Sequence, residues 1–308
     1  MNRKRFLIGV VLIVLISVAA AGCAEGGGDP IEAAAIQPSP EPTKTAVPPT
    51  DVPPTEMPPV EGYFDIGGYQ LYLQCFGSGQ PVVLLESGLG GASDYWLEAF
   101  KILIRETRVC RYDRAGLGRS DPSPKSPRST ADMAEDLHAL LGAADVSGPF
   151  VMAGHSMGGF INLIYADTYP DEVVGIVLVD GSIPNGNEMN QQLGDEFDYE
   201  MPDFGPVYEG GEVDFELSRL EAAAVADLGD MPLVILSAAD SYSNPDTPEG
   251  YDERGRELYT EAQLGYLDLS TNSRHAVVEN VHHGTIVGVS YAEVAEAILD
   301  VVAQVRGE

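Results

Sequence analysis

A series of short apolar runs, separated by longer stretches, constrains the fold of this chain more than any other sequence feature. Six such runs have four to six residues each and are bounded by glycine, proline or polar positions: 81–86, 107–112, 150–153, 174–179, 232–237 and 275–279. Runs this short suit strands that are buried on both faces, as in a parallel sheet. Helical periodicity in the intervening stretches predicts an α/β fold, in which a mainly parallel sheet is covered by helices on both faces.

Local patterns add a hairpin and two helices to this outline. Residues 63–66 and 70–76 flank Gly67-Gly68, which predicts a β-hairpin at one edge of the sheet. A helix is predicted over residues 133–141, with Ser129 and Asp132 as its capping box. The last helix is predicted from an apolar stripe at helical spacing: Val294, Ile298, Val301, Val302 and Val305.

The first 62 residues differ in composition from the rest of the chain. Residues 2–5 are mostly basic and residues 6–22 are uncharged and mostly apolar, as in an export signal. Ala20-Ala21-Gly22 before Cys23 resembles a bacterial lipobox, which predicts a signal peptide at 1–22 and a lipid-modified Cys23. An ordinary signal peptide and an uncleaved anchor are the alternatives. We therefore expect an extracytoplasmic protein that is anchored to the cell membrane through this lipid.

Residues 23–62 contain a glycine run and many prolines but few large apolar side chains. A segment of this composition cannot bury a core, so it is predicted to be a disordered linker. The folded domain is accordingly predicted at 63–308.

Charge restricts the partners. The chain has 17 Lys and Arg against 48 Asp and Glu, a formal net charge of −31, which argues against binding nucleic acid. Residues 184–229 contain 12 acidic residues and one basic residue, Arg219. They separate two predicted strands by more residues than a simple crossover needs, so they are predicted to be an inserted lid. A disordered acidic loop is the alternative.

The motif that carries chemistry is Gly-His-Ser-Met-Gly-Gly at residues 154–159, a G-x-S-x-G sequence. A predicted strand lies directly before it and a predicted helix, 160–169, directly after it. In that setting a serine is held in a strained turn with its Oγ exposed, and glycines on either side avoid clashes. Ser156 is therefore predicted to be a nucleophile, and a structural turn serine is the alternative.

With this strand–turn–helix arrangement around Ser156, a nucleophile elbow, the chain resembles the α/β-hydrolase family of serine hydrolases over residues 63–305. The resemblance also includes residues 83–91 with Trp96, the Tyr-Asp-Arg-Ala-Gly-Leu-Gly-Arg-Ser-Asp segment at 112–121, and residues 177–180. The family places its oxyanion loop after the third strand, and this implies the backbone N–H groups of Leu89 and Met157 as the oxyanion donors. The 113–121 loop resembles a structural turn of the family, in which the Arg and Asp brace the loop.

The resemblance also implies a base and an acid for Ser156. The family places its catalytic histidine after the last strand, where His283 fits and His282 is the alternative. Its acid most often follows the later of two strands, which favours Asp240. A minority of members use the earlier strand, which favours Asp180.

These residues predict an enzyme that cleaves an ester or similar acyl bond of a small molecule through an acyl-enzyme. The alternatives are an aminopeptidase of the same fold and a surface binding protein without activity. Neither a cofactor nor a metal site is expected, because the sequence has no phosphate-binding glycine loop and no Cys/His cluster.

In the resembled fold the second and fourth strands are neighbours and would each hold a cysteine. This implies a Cys75–Cys110 disulfide, and two buried free thiols are the alternative.

Overall fold

The computed structural model describes residues 57–199, 207–241 and 247–308. The predicted signal peptide 1–22, Cys23 and the predicted linker up to residue 56 lie outside these ranges. Within the described ranges, no helix is long and apolar enough to cross a membrane.

All eight predicted strands are present and form one sheet. In chain order the strands are β1 Val60–Asp65, β2 Gln70–Phe76, β3 Val82–Glu86, β4 Val109–Asp113, β5 Phe150–His155, β6 Val173–Val179, the short pair β7 Val207–Tyr208 and β8 Glu212–Val213, then β9 Leu233–Ala238 and β10 Ser273–Val278. The sheet has the order β1-β2-β4-β3-β5-β6-β9-β10, and its last six members run parallel. β7 and β8 pair separately.

The predicted hairpin forms the antiparallel edge of the sheet. β1 and β2 pair from Asp65 opposite Gln70, and β2 pairs antiparallel with β4. Gly67 and Gly68 both have positive φ angles in the connecting turn, which glycine adopts without steric cost. β1 begins at Val60, three residues before the predicted domain boundary at residue 63.

Helices cover both faces of the sheet. They are α1 Leu97–Leu103, α2 Thr130–Ala143, α3 Met157–Thr168, α4 Gly186–Phe197, α5 Phe215–Ala224, α6 Tyr251–Leu264, α7 Ile286–Val289 and α8 Tyr291–Arg306. α2 and α3 contribute to one apolar core, whereas α1 and α8 contribute to the other. The predicted fold class is therefore confirmed.

The strands have continuous apolar sequences because each supplies both cores. In β3, Val82 and Leu84 point into the core beneath α2 and α3, whereas Val83 and Leu85 point into the core beneath α1 and α8. Side chains alternate between the faces of a strand, so a strand covered on both sides has no polar face.

The predicted helix start at Ser129 is confirmed. The N–H of Ser129 donates to the carboxylate of Asp132 at 2.9 Å, the arrangement expected of a capping box. α2 begins at the next residue. The last helix also lies where its apolar stripe predicts it, with Ile298 and Val301 buried.

The 113–121 loop is braced as its family resemblance implies. The buried carboxylate of Asp113 accepts hydrogen bonds from the N–H of Ser93 at 2.8 Å and of Arg119 at 3.0 Å. Gly118 lies against this carboxylate with a φ of 52°. Asp113 therefore has a structural role in holding the loop together.

The insertion at 184–229 lies between β6 and β9. Its described residues form α4, α5 and the β7–β8 pair, whereas residues 200–206 lie outside the described ranges. The described part is thus ordered secondary structure and not a structureless acidic loop.

Cys75 and Cys110 are directly opposite each other on β2 and β4, and a disulfide joins them. Both residues are buried in the core. The strand neighbourhood that the family resemblance implies brings the two cysteines together.

Candidate active site

Ser156 occupies the turn between β5 and α3. β5 ends at His155 and α3 begins at Met157, so one residue makes the whole connection. Ser156 has φ 53° and ψ −124°, a conformation that costs a non-glycine residue of the order of 1–3 kcal/mol. This strained turn leaves the hydroxyl of Ser156 accessible between the strand and the helix, where a substrate can reach it.

Two glycines make this turn sterically feasible. A Cβ on Gly154 would lie 2.5 Å from the carbonyl oxygen of Gly158, and a Cβ on Gly158 would lie 2.7 Å from that of Glu86. These separations are too short for any side chain. The G-x-S-x-G pattern is therefore a packing requirement of the elbow.

Ser156, His283 and Asp180 form a continuous chain of hydrogen bonds. The Oγ of Ser156 lies 2.9 Å from Nε2 of His283, and Nδ1 of His283 lies 2.7 Å from Oδ2 of Asp180. Asp180 is fully buried, whereas the side chain of His283 is 39% exposed. The geometry places a base within reach of the hydroxyl and a carboxylate behind that base.

The carboxylate of Asp180 is fixed in place by the end of β9. Its Oδ1 accepts a hydrogen bond from the N–H of Ala238 at 3.0 Å, and its Oδ2 accepts one from the hydroxyl of Ser241. Asp180 directly follows β6, and β9 is the strand next to β6 in the sheet. Because β9 ends in small residues, the carboxylate of Asp180 can contact the end of that strand.

The preference for Asp240 as the acid is wrong on this geometry, and the alternative, Asp180, is the residue beside His283. Asp240 is exposed, and its backbone N–H donates to the carbonyl of Val281 at 3.0 Å. The small residues before Asp240 make a tight turn, as the sequence indicates. That turn supports the backbone of the histidine loop and presents no carboxylate to the imidazole.

The histidine loop follows β10 and presents His283, not His282, to Ser156. His282 is exposed, and its N–H bonds the hydroxyl of Thr285. The choice of His283 over His282 agrees with this geometry.

His155 supports the same loop, a contact that the sequence did not reveal. Its Nε2 lies 2.8 Å from the carbonyl oxygen of His283, so this nitrogen carries the proton. Its ring lies between those of His283 and Tyr95, with centroids 4.8 and 5.1 Å away. Burial, with a smaller contribution from His283, lowers the pKa of His155 to about 4, so the ring is neutral at neutral pH. The sequence indicated only that this side chain points away from the hydroxyl of Ser156.

The loop after β3 lies against Ser156. A Cβ on Gly88 would lie 2.8 Å from Nδ1 of His155 and 3.1 Å from the Cβ of Ser156, so a glycine here permits this close approach. The next residue is Leu89, and Met157 is the first residue of α3, where backbone N–H groups have no partner in the helix. Leu89 and Met157, the residues implied as oxyanion donors, therefore each directly follow a residue at the nucleophile, Gly88 and Ser156.

Other features of the described residues lie away from this site. A cavity of about 520 Å³ lies between α4, α5 and α6, but neither Ser156 nor His283 lines it. Nowhere in residues 57–199, 207–241 and 247–308 do three or more His, Cys, Asp or Glu gather as metal ligands would.

Comparison with known proteins agrees with this architecture. A family described as alpha/beta hydrolase fold matches residues 81–252. An esterase from Thermogutta terrifontis superposes with a TM-score of 0.57 at 21% identity, covering 80% of this chain and 98% of the esterase. A proline iminopeptidase-related protein from Thermus thermophilus has a TM-score of 0.57 at 18% identity, covering 81% and 100%.

Sequence relatives match only a part of the chain. A protein of Escherichia coli named "Putative carbamate hydrolase RutD" is 38% identical over 101 residues, which are 33% of this chain and 38% of that protein. The chain spans less than half the length of the curated relatives it matches.

Proposed function

Because the chain belongs to the α/β-hydrolase fold family, we propose that it is an exported serine hydrolase that cleaves an ester or a similar acyl bond. The observation that carries this proposal is the chain of hydrogen bonds from Ser156 through His283 to Asp180, at 2.9 and 2.7 Å. A hydroxyl, a base and a buried carboxylate in this order are the elements of nucleophilic acyl transfer.

In the proposed reaction, Oγ of Ser156 attacks the carbonyl carbon of the substrate while Nε2 of His283 accepts the hydroxyl proton. Asp180 stabilises the imidazolium that forms. The carbonyl oxygen becomes an oxyanion and accepts hydrogen bonds from the N–H groups of Leu89 and Met157. The tetrahedral intermediate collapses, His283 gives its proton to the leaving alkoxide, and an acyl-enzyme remains on Ser156.

Water completes the cycle by the same steps. His283 removes a proton from water as its oxygen attacks the acyl carbon. Collapse of the second intermediate returns a proton to Oγ of Ser156 and releases a carboxylic acid. The strain and the hydrogen bonds around Ser156 and His283 position these groups before the substrate arrives.

The contacts of the acidic insertion bear on the choice between ester and peptide substrates. An aminopeptidase would use a free carboxylate to hold the substrate ammonium. However, Glu209 is paired with Arg114 and Glu196 with Arg254, while Glu221 accepts hydrogen bonds at the start of α2. These three carboxylates fasten the insertion to the domain, so they are already engaged before any substrate binds.

Substrate preference tests the proposal. The protein should hydrolyse p-nitrophenyl esters, and Ser156→Ala should lower kcat by several orders of magnitude. Aminoacyl-p-nitroanilides should be hydrolysed much more slowly. A preference for the anilides would support the peptidase, and no hydrolysis of either class would contradict the proposal.

A further inference from the structure

Three charged side chains are buried together beside the loop that follows β3. Glu86 ends β3, Arg114 directly follows β4, and Glu209 comes from the insertion. Their side chains are 1, 2 and 0% exposed, respectively. Buried ion pairs carry a large desolvation cost and are weak sources of stability. The position of this charged cluster therefore calls for a functional explanation.

Arg114 uses all five of its N–H groups in this cluster. Nε and one N–H of Nη2 donate to the carboxylate of Glu209 at 2.6 and 3.1 Å, and one N–H of Nη1 donates to Glu86. The remaining two donate to the main-chain oxygens of Ser87 and Gly88 at 2.5 and 2.6 Å. The guanidinium thus holds the backbone of the loop, and the carboxylates hold the guanidinium.

The bond to Gly88 bears directly on the oxyanion site. The carbonyl of Gly88 and the N–H of Leu89 belong to one trans peptide, in which C=O and N–H point in opposite directions. An arginine that fixes the oxygen on one side of this peptide directs the N–H of Leu89 to the other side. Gly88 also packs against Ser156, so the fixed peptide lies beside the nucleophile.

Glu209 also contacts the loop after β3 directly, on the far side of Leu89 from Gly88. The N–H of Gly90 approaches Oε2 of Glu209 at 3.4 Å, so Leu89 lies between two residues attached to the charged cluster. The backbone of Glu209 is held in turn by Arg128, which donates to its carbonyl at 2.9 Å and to that of Ala115 at 2.6 Å. The insertion is therefore fastened to the domain at this point.

The charge of Arg114 is retained despite its burial. Desolvation opposes the charged form, but Glu209 and Glu86 outweigh it, so the pKa of Arg114 lies above its ordinary value. A permanent cation on the carbonyl of Gly88 polarises that peptide and makes the N–H of Leu89 a better donor.

We propose that Arg114 and Glu209 are positioning residues that hold the Gly88–Leu89 peptide in the orientation that binds the oxyanion. The inference rests on the proposed serine hydrolase function and adds that a residue of the insertion completes the oxyanion site. Glu86 anchors the other side of the same guanidinium.

Two variants of the full chain test the inference. Arg114→Lys keeps the charge but loses the planar fork, and Glu209→Gln keeps the shape but loses the charge. The readouts are kcat and KM for a p-nitrophenyl ester, and the Ki of a trifluoromethyl ketone with the same acyl group. The ketone forms a tetrahedral adduct whose oxygen occupies the oxyanion site, so its Ki reports the quality of that site.

We expect both variants to lower kcat about tenfold to a hundredfold, less than the 10²–10³ lost when an oxyanion donor itself is removed. The Ki of the ketone should rise by a similar factor, with KM nearly unchanged. Glu221→Gln is the matched control, because Glu221 also fastens the insertion but at Ser129 and Ala131, away from the loop. It should change neither Ki nor kcat.

Fluorophosphonate titration counts the competent sites, so partial unfolding does not mimic the effect. An unchanged Ki in Glu209→Gln would overturn the inference even if Arg114→Lys does not fold. A wild-type protein that is neither labelled at Ser156 nor active on esters would overturn the proposed function instead.

Discussion

At the residue scale, the site depends on which carboxylate faces His283. Asp180 is buried and accepts hydrogen bonds from Ala238, Ser241 and the imidazole. Asp240 is exposed and contributes only a backbone N–H to the histidine loop. Both residues follow strand ends, and the two strands are neighbours in the sheet.

Neutralising Asp180 should therefore lower the activity, whereas neutralising Asp240 should not. Asp180→Asn keeps the shape but removes the charge that stabilises the imidazolium, so kcat for an ester should fall by roughly 10⁴. Asp240→Asn should stay close to wild type. Equal losses in both variants, or a loss only in Asp240→Asn, would mean that the carboxylate facing His283 is not the functional acid.

His155 gives the protein a specific sensitivity to acid. Its pKa is about 4 in the folded protein, against about 6.5 in an unfolded chain, because burial disfavours the charged ring. The unfolded chain therefore binds the proton first as the pH falls. The free energy of unfolding should decrease by about 3 kcal/mol between pH 6.5 and 4 through this residue, with no contribution above pH 6.5.

Urea denaturation at several pH values checks this expectation. His155→Gln should flatten the decrease between pH 6.5 and 4. If this variant has the same pH dependence as the wild type, the burial of a neutral His155 does not govern acid stability.

At the element scale, strands and helices differ in how well the sequence predicts them. The strands were predictable because β3 and β6 are apolar on both faces, and glycine or proline bounds such runs. Ser156 and its flanking glycines were predictable because the elbow allows few other residues. α6 was not predicted, because its sequence, Tyr251–Leu264, is largely polar and has no clear apolar stripe. The preference for Asp240 over the alternative, Asp180, was wrong, and the role of His155 was missed, because both depend on contacts between distant segments.

The Cys75–Cys110 disulfide joins β2 to β4 across a sequence separation of 35 residues. Closing a loop of that length in the unfolded chain is worth about 4 kcal/mol in the chain-entropy treatment. The double variant Cys75→Ala/Cys110→Ala should lose about 2–4 kcal/mol of unfolding free energy in urea. In a Cys23→Ser background, the denatured, unreduced protein should have no titratable thiol, and two thiols would disprove the bond.

At the scale of the whole molecule, the N-terminal sequence and the proposed hydrolase function together suggest an enzyme that works at a membrane surface. We propose that Cys23 carries a lipid and that the Pro-rich segment is its tether. The proposal depends on the apolar residues 6–22, the small residues before Cys23 and the composition of residues 23–62.

Fractionation of cells that express the full chain tests this proposal. The wild type should partition with membranes, and Cys23→Ser should be released or remain unprocessed. Ser156→Ala, which leaves the N-terminus intact, should partition as the wild type does. A Cys23→Ser protein that keeps its membrane association and has a normal processed mass would contradict lipidation.

The central claim, that Ser156 is a nucleophile activated by His283 and Asp180, is tested most directly by covalent labelling. The full chain is treated with a fluorophosphonate, its intact mass is measured, and the modified peptide is sequenced. We predict one adduct per chain, located on Ser156, absent in Ser156→Ala and formed far more slowly in Asp180→Asn. An adduct on another residue, or none on a folded wild-type protein, would contradict the account.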